Sequence, residues 1–212
     1  MTDRTVAIGP ASLAVSDTGS GEPCFVFIHG LACDHTAWEP QVADLSRDHR
    51  CLNVDLRGRG GSSLTPPYDT TRQADDVAAV LTELGVGPAI LVGHSLGGIT
   101  ALLVNERHPD LVLGIVLGDS PVRASMAGLA PMAAGLREAN STEPMRPLLE
   151  RFWHADTPDE LKRYVIEMML SCPAEVAAGM IEGVPSNMPE LVKLADHKPF
   201  MAIWAERAIG DA

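Results

Sequence analysis

The sequence predicts an α/β fold: a mostly parallel, doubly wound sheet with a helical insertion before its last strand. Three observations carry this prediction. Short apolar runs alternate with amphipathic stretches between residues 24 and 117, which is the pattern of βαβ units. Several of those runs are continuous in apolar character, as in strands buried on both faces. After Asp119 the texture changes: residues 121–198 hold no convincing strand and are broken by prolines at 131, 144, 147, 158, 173, 185 and 189.

Taken in order, residues 5–8 and 12–16 read as a hairpin around Gly9-Pro10. Residues 24–28 read as a buried strand ended by His29-Gly30, residues 38–45 as a helix and residues 51–55 as a strand. A glycine-rich loop, Arg57-Gly58-Arg59-Gly60-Gly61-Ser62, follows. Residues 71–84 carry an apolar stripe (Ala74, Val77, Ala78, Val80, Leu81, Leu84) and read as a helix stopped by Gly85 and Gly87. Residues 89–92 and 113–117 read as strands, with a helix over 95–107 between them. Residues 199–205 return to a strand. The expected division is a core domain over 1–120, a helical cap over 121–198, and a last core strand over 199–212. Seven of the nine methionines lie in the insertion, either as ordinary packing or as a pliable apolar lid over a pocket.

The bulk properties set limits. A chain of 212 residues suits one domain with an insertion. Hydrophobic content of 46% supplies a core, but only 4% is aromatic, so aliphatic side chains must build it. The formal net charge of −12 argues against nucleic acid and anionic membranes as partners. There is no signal-like start and no apolar run near ~18 residues. Cys24, Cys33, Cys51 and Cys172 have no metal-type spacing, which fits reduced thiols in the cytoplasm and no metal or cofactor. Cys33 lies in a candidate site loop but reads chiefly as a small buried residue.

Chemistry concentrates at Gly93-His94-Ser95-Leu96-Gly97, between a strand-like and a helix-like run. A serine hydroxyl is a poor nucleophile unless held exposed beside a base. A strained strand-to-helix turn does the holding, and it needs small residues at minus two and plus two, here Gly93 and Gly97. The helix that follows points free N–H groups and its positive dipole end at the site. His94 reads as a packing residue of the turn rather than as a base.

Residues 24–119 resemble the α/β-hydrolase superfamily, in its esterase and C–C hydrolase-like branch. The resemblance rests on Phe25-Val26-Phe27-Ile28-His29-Gly30, Asp55-Leu56-Arg57-Gly58-Arg59-Gly60-Gly61-Ser62, Gly93-His94-Ser95-Leu96-Gly97-Gly98 and Leu117-Gly118-Asp119-Ser120, in the family's order and spacing. It implies Ser95 as nucleophile and the backbone N–H groups of Leu31 and Leu96 as the oxyanion hole. His29, Gly30 and His94 would line the substrate site, with His29 shaping its loop. It also implies the chain order serine, acid, histidine. The acid is expected at Asp119, with Asp211 and Glu206 as alternatives. No histidine stands where the family's base is expected. His197 precedes the last strand and belongs at its far end, on the order of 20 Å from the site. His154, in the insertion, has only an outside claim. The chain therefore reads as lacking the family's final strand, catalytic histidine and last helix, by truncation or as a non-catalytic descendant. That leaves the last strand as an open edge, through which copies could associate.

Three functions follow from these readings. The first is serine hydrolysis of a small apolar ester, lactone or C–C diketone, impaired by the absent histidine. The second is cofactor-free oxygenase or perhydrolase chemistry on the same fold. The third is ligand binding without catalysis.

Overall fold

The computed structural model describes residues 2–122, 129–186, 188–195 and 197–204. Strands β1 (Thr2–Ile8) and β2 (Ala11–Thr18) form an antiparallel hairpin, and β2 pairs antiparallel with β4 (Cys51–Val54). The remaining strands, β3 (Phe25–Ile28), β5 (Ala89–His94), β6 (Val112–Gly118) and β7 (Phe200–Ile203), are parallel to β4 and to one another. The sheet order is β1-β2-β4-β3-β5-β6-β7. The chain moves outward from β3 to β4 and then crosses back to β5 on the other side. The carboxyl ends of β3 and β5 therefore flank a topological switch point, where open α/β sheets bind ligands.

Helices fill the connections. A 3-10 turn (His35–Trp38) leads into α1 (Glu39–Leu45), and α2 (Thr70–Glu83) starts at Asp69, whose side chain accepts from the Arg72 N–H. Helix α3 (Leu96–Arg107) follows β5 directly. Between β6 and β7 lie α4 (Ala130–Ala139), α5 (Arg146–Leu149), α6 (Asp159–Leu170), α7 (Ala174–Glu182) and α8 (Met188–Ala195), with no strand among the described residues of that stretch. Helix α8 packs against α3, and Leu191 and Ala195 sit in the main core, so this last helix joins the layer beneath the sheet. Among the described residues no single helix is long and apolar enough to cross a membrane. Helices α6 and α7 reach that composition only jointly, across an 85° bend.

The two sheet faces are covered unequally. One face packs on α2 and α3, in a core cluster that includes Val26, Leu52, Leu91, Leu117, Leu81 and Leu102 and that extends to Val176 of α7. Each fully buried leucine there contributes about 1.5–3 kcal/mol. The other face carries a small apolar cluster of Phe27, Val42, Cys51 and Val92, with Phe25, Trp38, Leu45, Ile90 and Val116 partly buried around them.

Strand β7 sharpens one expectation. Its register, Ile115 with Phe200 through Gly118 with Ile203, turns Ala202 toward the main core. Phe200, Met201, Ile203 and Trp204 are all exposed, so side chains on both faces of the strand are bare. The methionines of the insertion fit plain packing: Met145, Met168, Met169 and Met180 are all buried in the core. All four cysteines are free and buried, and burial pushes the Cys33 thiol up to about 12, which makes it a poor nucleophile.

Candidate functional site

Ser95 sits between the last residue of β5 and the first of α3 with φ +51° and ψ −121°. This is a conformation that L residues avoid, and such strain gathers at functional sites. Its neighbours leave no room for side chains. A Cβ on Gly93 would lie 2.4 Å from the Gly97 carbonyl oxygen, and one on Gly97 would lie 2.3 and 2.4 Å from those of Ile28 and His29. The Ser95 N–H donates to the Gly118 carbonyl at 2.9 Å, which ties the turn to the end of β6. Leu96 opens α3, so its N–H is among those a helix leaves without an internal acceptor.

The loop after β3 meets this turn. The Cys33 N–H donates to the Gly30 carbonyl at 3.2 Å, and Ala32 takes φ +59°, so residues 30–33 form a tight turn with Leu31 near its tip. A Cβ on Gly30 would come within 3.3 Å of the Ser95 Cβ and 2.9 Å of the His94 Nδ1. Glycine is thus required for the turn to approach the serine. His29 holds the turn from below. Its Nδ1 donates to the Gly30 carbonyl at 2.9 Å and its Nε2 accepts from the Leu56 N–H at 3.0 Å, which fixes one neutral tautomer. Full burial lowers its pKa to about 4, against the opposing effect of the Gly30 bond. The expectation that His29 lines the substrate site is corrected in this respect: it is fully buried with both ring nitrogens occupied, and it shapes the turn without facing a ligand.

Asp119 follows β6 with φ +44°, is exposed, and donates its N–H to the Ile203 carbonyl at 2.7 Å. Its charge reaches His94: desolvation lowers the His94 pKa, and Asp119 works against that. The His94 ring meets Trp38 edge-on at 6.5 Å and is otherwise exposed next to the serine. The structure therefore brings Ser95, Gly30, His94 and Asp119 together at the carboxyl ends of β3, β5 and β6. Glu206 and Asp211 lie outside the described residues.

The remaining candidate histidines stand apart. His197 is exposed and two residues before Pro199, whose carbonyl accepts from the Ile115 N–H, so it lies at the amino end of β7. His154 has a side chain 76% exposed and pairs with Asp156 at 3.4 Å.

Two groups near the site went unread in the sequence. His35 donates its backbone N–H to Asp55 at 2.8 Å, and its Nδ1 lies 2.9 Å from the same oxygen. This bond to Asp55 raises the His35 pKa, while burial opposes it. Burial pushes Asp55 up, but the bonds from His35 and the Gly61 N–H outweigh it and hold the carboxyl low. Asp34, His35 and Asp55 lie close enough to share a cation, but hydrogen bonds to one another and to the backbone already engage them. Arg59 is the second group, buried beside the 30–33 turn. The glycine-rich loop marked both regions, but only the tertiary packing decides which of its side chains turn inward.

A family model described as the alpha/beta hydrolase family matches residues 25–208. The chain belongs to the alpha/beta hydrolase family. Among relatives of this hydrolase-family chain, the 2-(acetamidomethylene)succinate hydrolase of Mesorhizobium japonicum is 38% identical over 117 residues, covering 55% of this chain and 42% of that protein. The AB hydrolase superfamily protein YisY of Bacillus subtilis is 30% identical over 172 residues, covering 75% of this chain and 64% of that protein. The chain thus spans less than two thirds of the length of these curated relatives. In fold, it matches the enol-lactonase of Burkholderia xenovorans LB400 with a TM-score of 0.78 at 22% identity, covering 94% of this chain and 91% of that one. A thermophilic esterase from Thermogutta terrifontis matches with a TM-score of 0.79 at 23% identity, covering 96% and 90%.

Proposed function

We propose that Ser95 is the nucleophile of a serine hydrolase acting on a small apolar ester, lactone or C–C diketone. The strained backbone of Ser95 at the β5–α3 junction carries this reading, since a serine held in that conformation between a strand and a helix is the arrangement a nucleophile needs. Ser95 Oγ would attack the substrate carbonyl. The N–H groups of Leu31 and Leu96 would take the developing oxyanion, and the positive end of α3 adds to that stabilisation. Asp119, beyond the β6 residue that accepts from the Ser95 N–H, is the acid that would orient an imidazole. The esterase and lactonase relationships of the fold support the substrate class.

Turnover by these 212 residues alone is expected to be weak. His29 has both ring nitrogens engaged, His94 lies against Trp38, His154 pairs with Asp156 in solvent, and His197 stands at the far end of β7. The test combines fluorophosphonate labelling with turnover of short-chain p-nitrophenyl esters. Labelling of wild type that vanishes in Ser95→Ala, with slow ester turnover, is the expected result. Absence of labelling would overturn the nucleophile, and fast turnover abolished by Ser95→Ala would overturn the weak base. Oxygen consumption with a heteroaromatic substrate would move the chemistry to the oxidative reading.

A further inference from the structure

The glycine-rich loop sends two arginines into the protein in different directions. Arg57 forks onto Asp76 at 2.6 and 2.7 Å, a fully buried ion pair that fastens the loop to α2. Arg59 is as deeply buried, at 5% exposure, yet among the described residues the carboxylate paired with it stands at the outer limit of an ion pair. The Asp34 carboxylate is 3.9 Å away on a partly exposed residue. The guanidinium is given over to uncharged acceptors from two distant segments. Its Nε donates to the Cys33 carbonyl at 2.8 Å, and its Nη2 donates to the Met168 carbonyl at 3.0 Å and the Ser171 hydroxyl at 3.3 Å.

A buried cation with so little direct compensation is costly, and an apolar side chain of similar size would fill the space at less expense. The guanidinium does one thing that an apolar side chain cannot: its rigid fork bonds two carbonyls from separate segments at once. Cys33 closes the turn that carries Leu31, and Met168 lies in the last turn of α6, where unpaired carbonyls and the negative dipole end favour a cation. The Ser171 hydroxyl donates to the same Met168 carbonyl at 2.6 Å, and the Thr36 hydroxyl reaches the Met168 sulfur at 3.5 Å. Residues 33–36 and the end of α6 are thus tied at two places.

We infer that Arg59 is a positioning residue: it fastens the 30–33 turn to the end of α6 and so sets where the Leu31 N–H stands opposite Ser95. The inference rests on the proposed oxyanion role of Leu31.

The experiment compares wild type with Arg59→Lys, which keeps the charge and loses the fork, and Arg59→Met, which keeps the stem. Fluorophosphonate labelling of Ser95 is followed against reagent concentration, alongside amide hydrogen exchange. The limiting labelling rate should fall about tenfold or more in both variants, with the half-saturating concentration within about twofold. Exchange at residues 31–33 and 168–171 should rise together, while the middle of α2 around Asp76, held by Arg57, stays protected. Should Arg59→Met fail to fold, Arg59→Lys and Ser171→Ala carry the test. A limiting rate for Arg59→Lys within about twofold of wild type, or faster exchange at 168–171 alone, overturns the proposal. A wild type that takes no label points instead to failure of the nucleophile reading, and the exchange pattern then decides the tie by itself.

Discussion

The two faces of the sheet are made by the same strands and differ in almost everything else. On β5, Leu91 points into the large core and is fully buried, while Ile90 next to it points to the thin face and is only partly covered. The large face is closed by α2 and α3, with α8 packed on α3, and the other has α1 as its main helical cover. The elbow leans on the large face, because α3 is pressed so closely onto β3 that only glycine fits at residue 97. What the difference teaches is that site geometry and surface stability are held by separate parts of the molecule. Damage to the thin face should leave the elbow in place.

The strongest way to break this comparison is Gly97→Ala. Its Cβ would meet two backbone carbonyl oxygens near 2.3 Å, so a loss of at least about 4 kcal/mol is expected in urea unfolding. A near-neutral result would mean that α3 does not hold the elbow against β3. Neighbouring truncations on β5 come next. Leu91→Ala should cost about 2–5 kcal/mol and Ile90→Ala roughly 1 kcal/mol, and equal losses would erase the distinction between the faces.

The end of β3 gives a pH signature of similar size. His29 is held neutral when folded, with a pKa of about 4 against the ordinary histidine value of 6.5. The unfolded chain therefore binds the extra proton first as pH drops. Stability should decline between pH 6.5 and about 4 by on the order of 3 kcal/mol, and the decline should be flatter in His29→Asn. An unchanged slope in that variant would place the titration elsewhere. The smallest effect belongs to the bare edge. Met201→Lys should change the unfolding free energy little, within about 0.5 kcal/mol, because the side chain is 57% exposed. The same substitution should lower concentration-dependent association in sedimentation if copies meet along β7, and unaltered sedimentation would remove that edge as the contact.

Much of this was legible in the sequence. Continuous apolar runs and the stripe on α2 report burial directly, so the strands and helices fall within a few residues of their expected places. Ser95 was legible because its turn demands glycine at fixed offsets, a requirement written into the chain locally. The coverage of β7 was not, since its register against β6 decides which side chains are bare. Nor were His35, Asp55 and Arg59: His35 and Asp55 meet only across two loops, and Arg59, in a glycine-rich loop whose side chains can turn either way, is placed by partners more than a hundred residues distant. His29 was half legible. Its place in the loop was clear, but its complete burial comes from the Leu56 N–H across the neighbouring loop.

The main-chain bonds that run from Ser95 to Gly118 and from Asp119 to Ile203 have a further consequence. The spacing between the serine and the candidate acid is written in peptide groups, so the side chains at 95 and 119 are interchangeable fittings on a fixed frame. A protein engineer could exchange either one, or introduce an imidazole beside them, and expect the other to stay where it is.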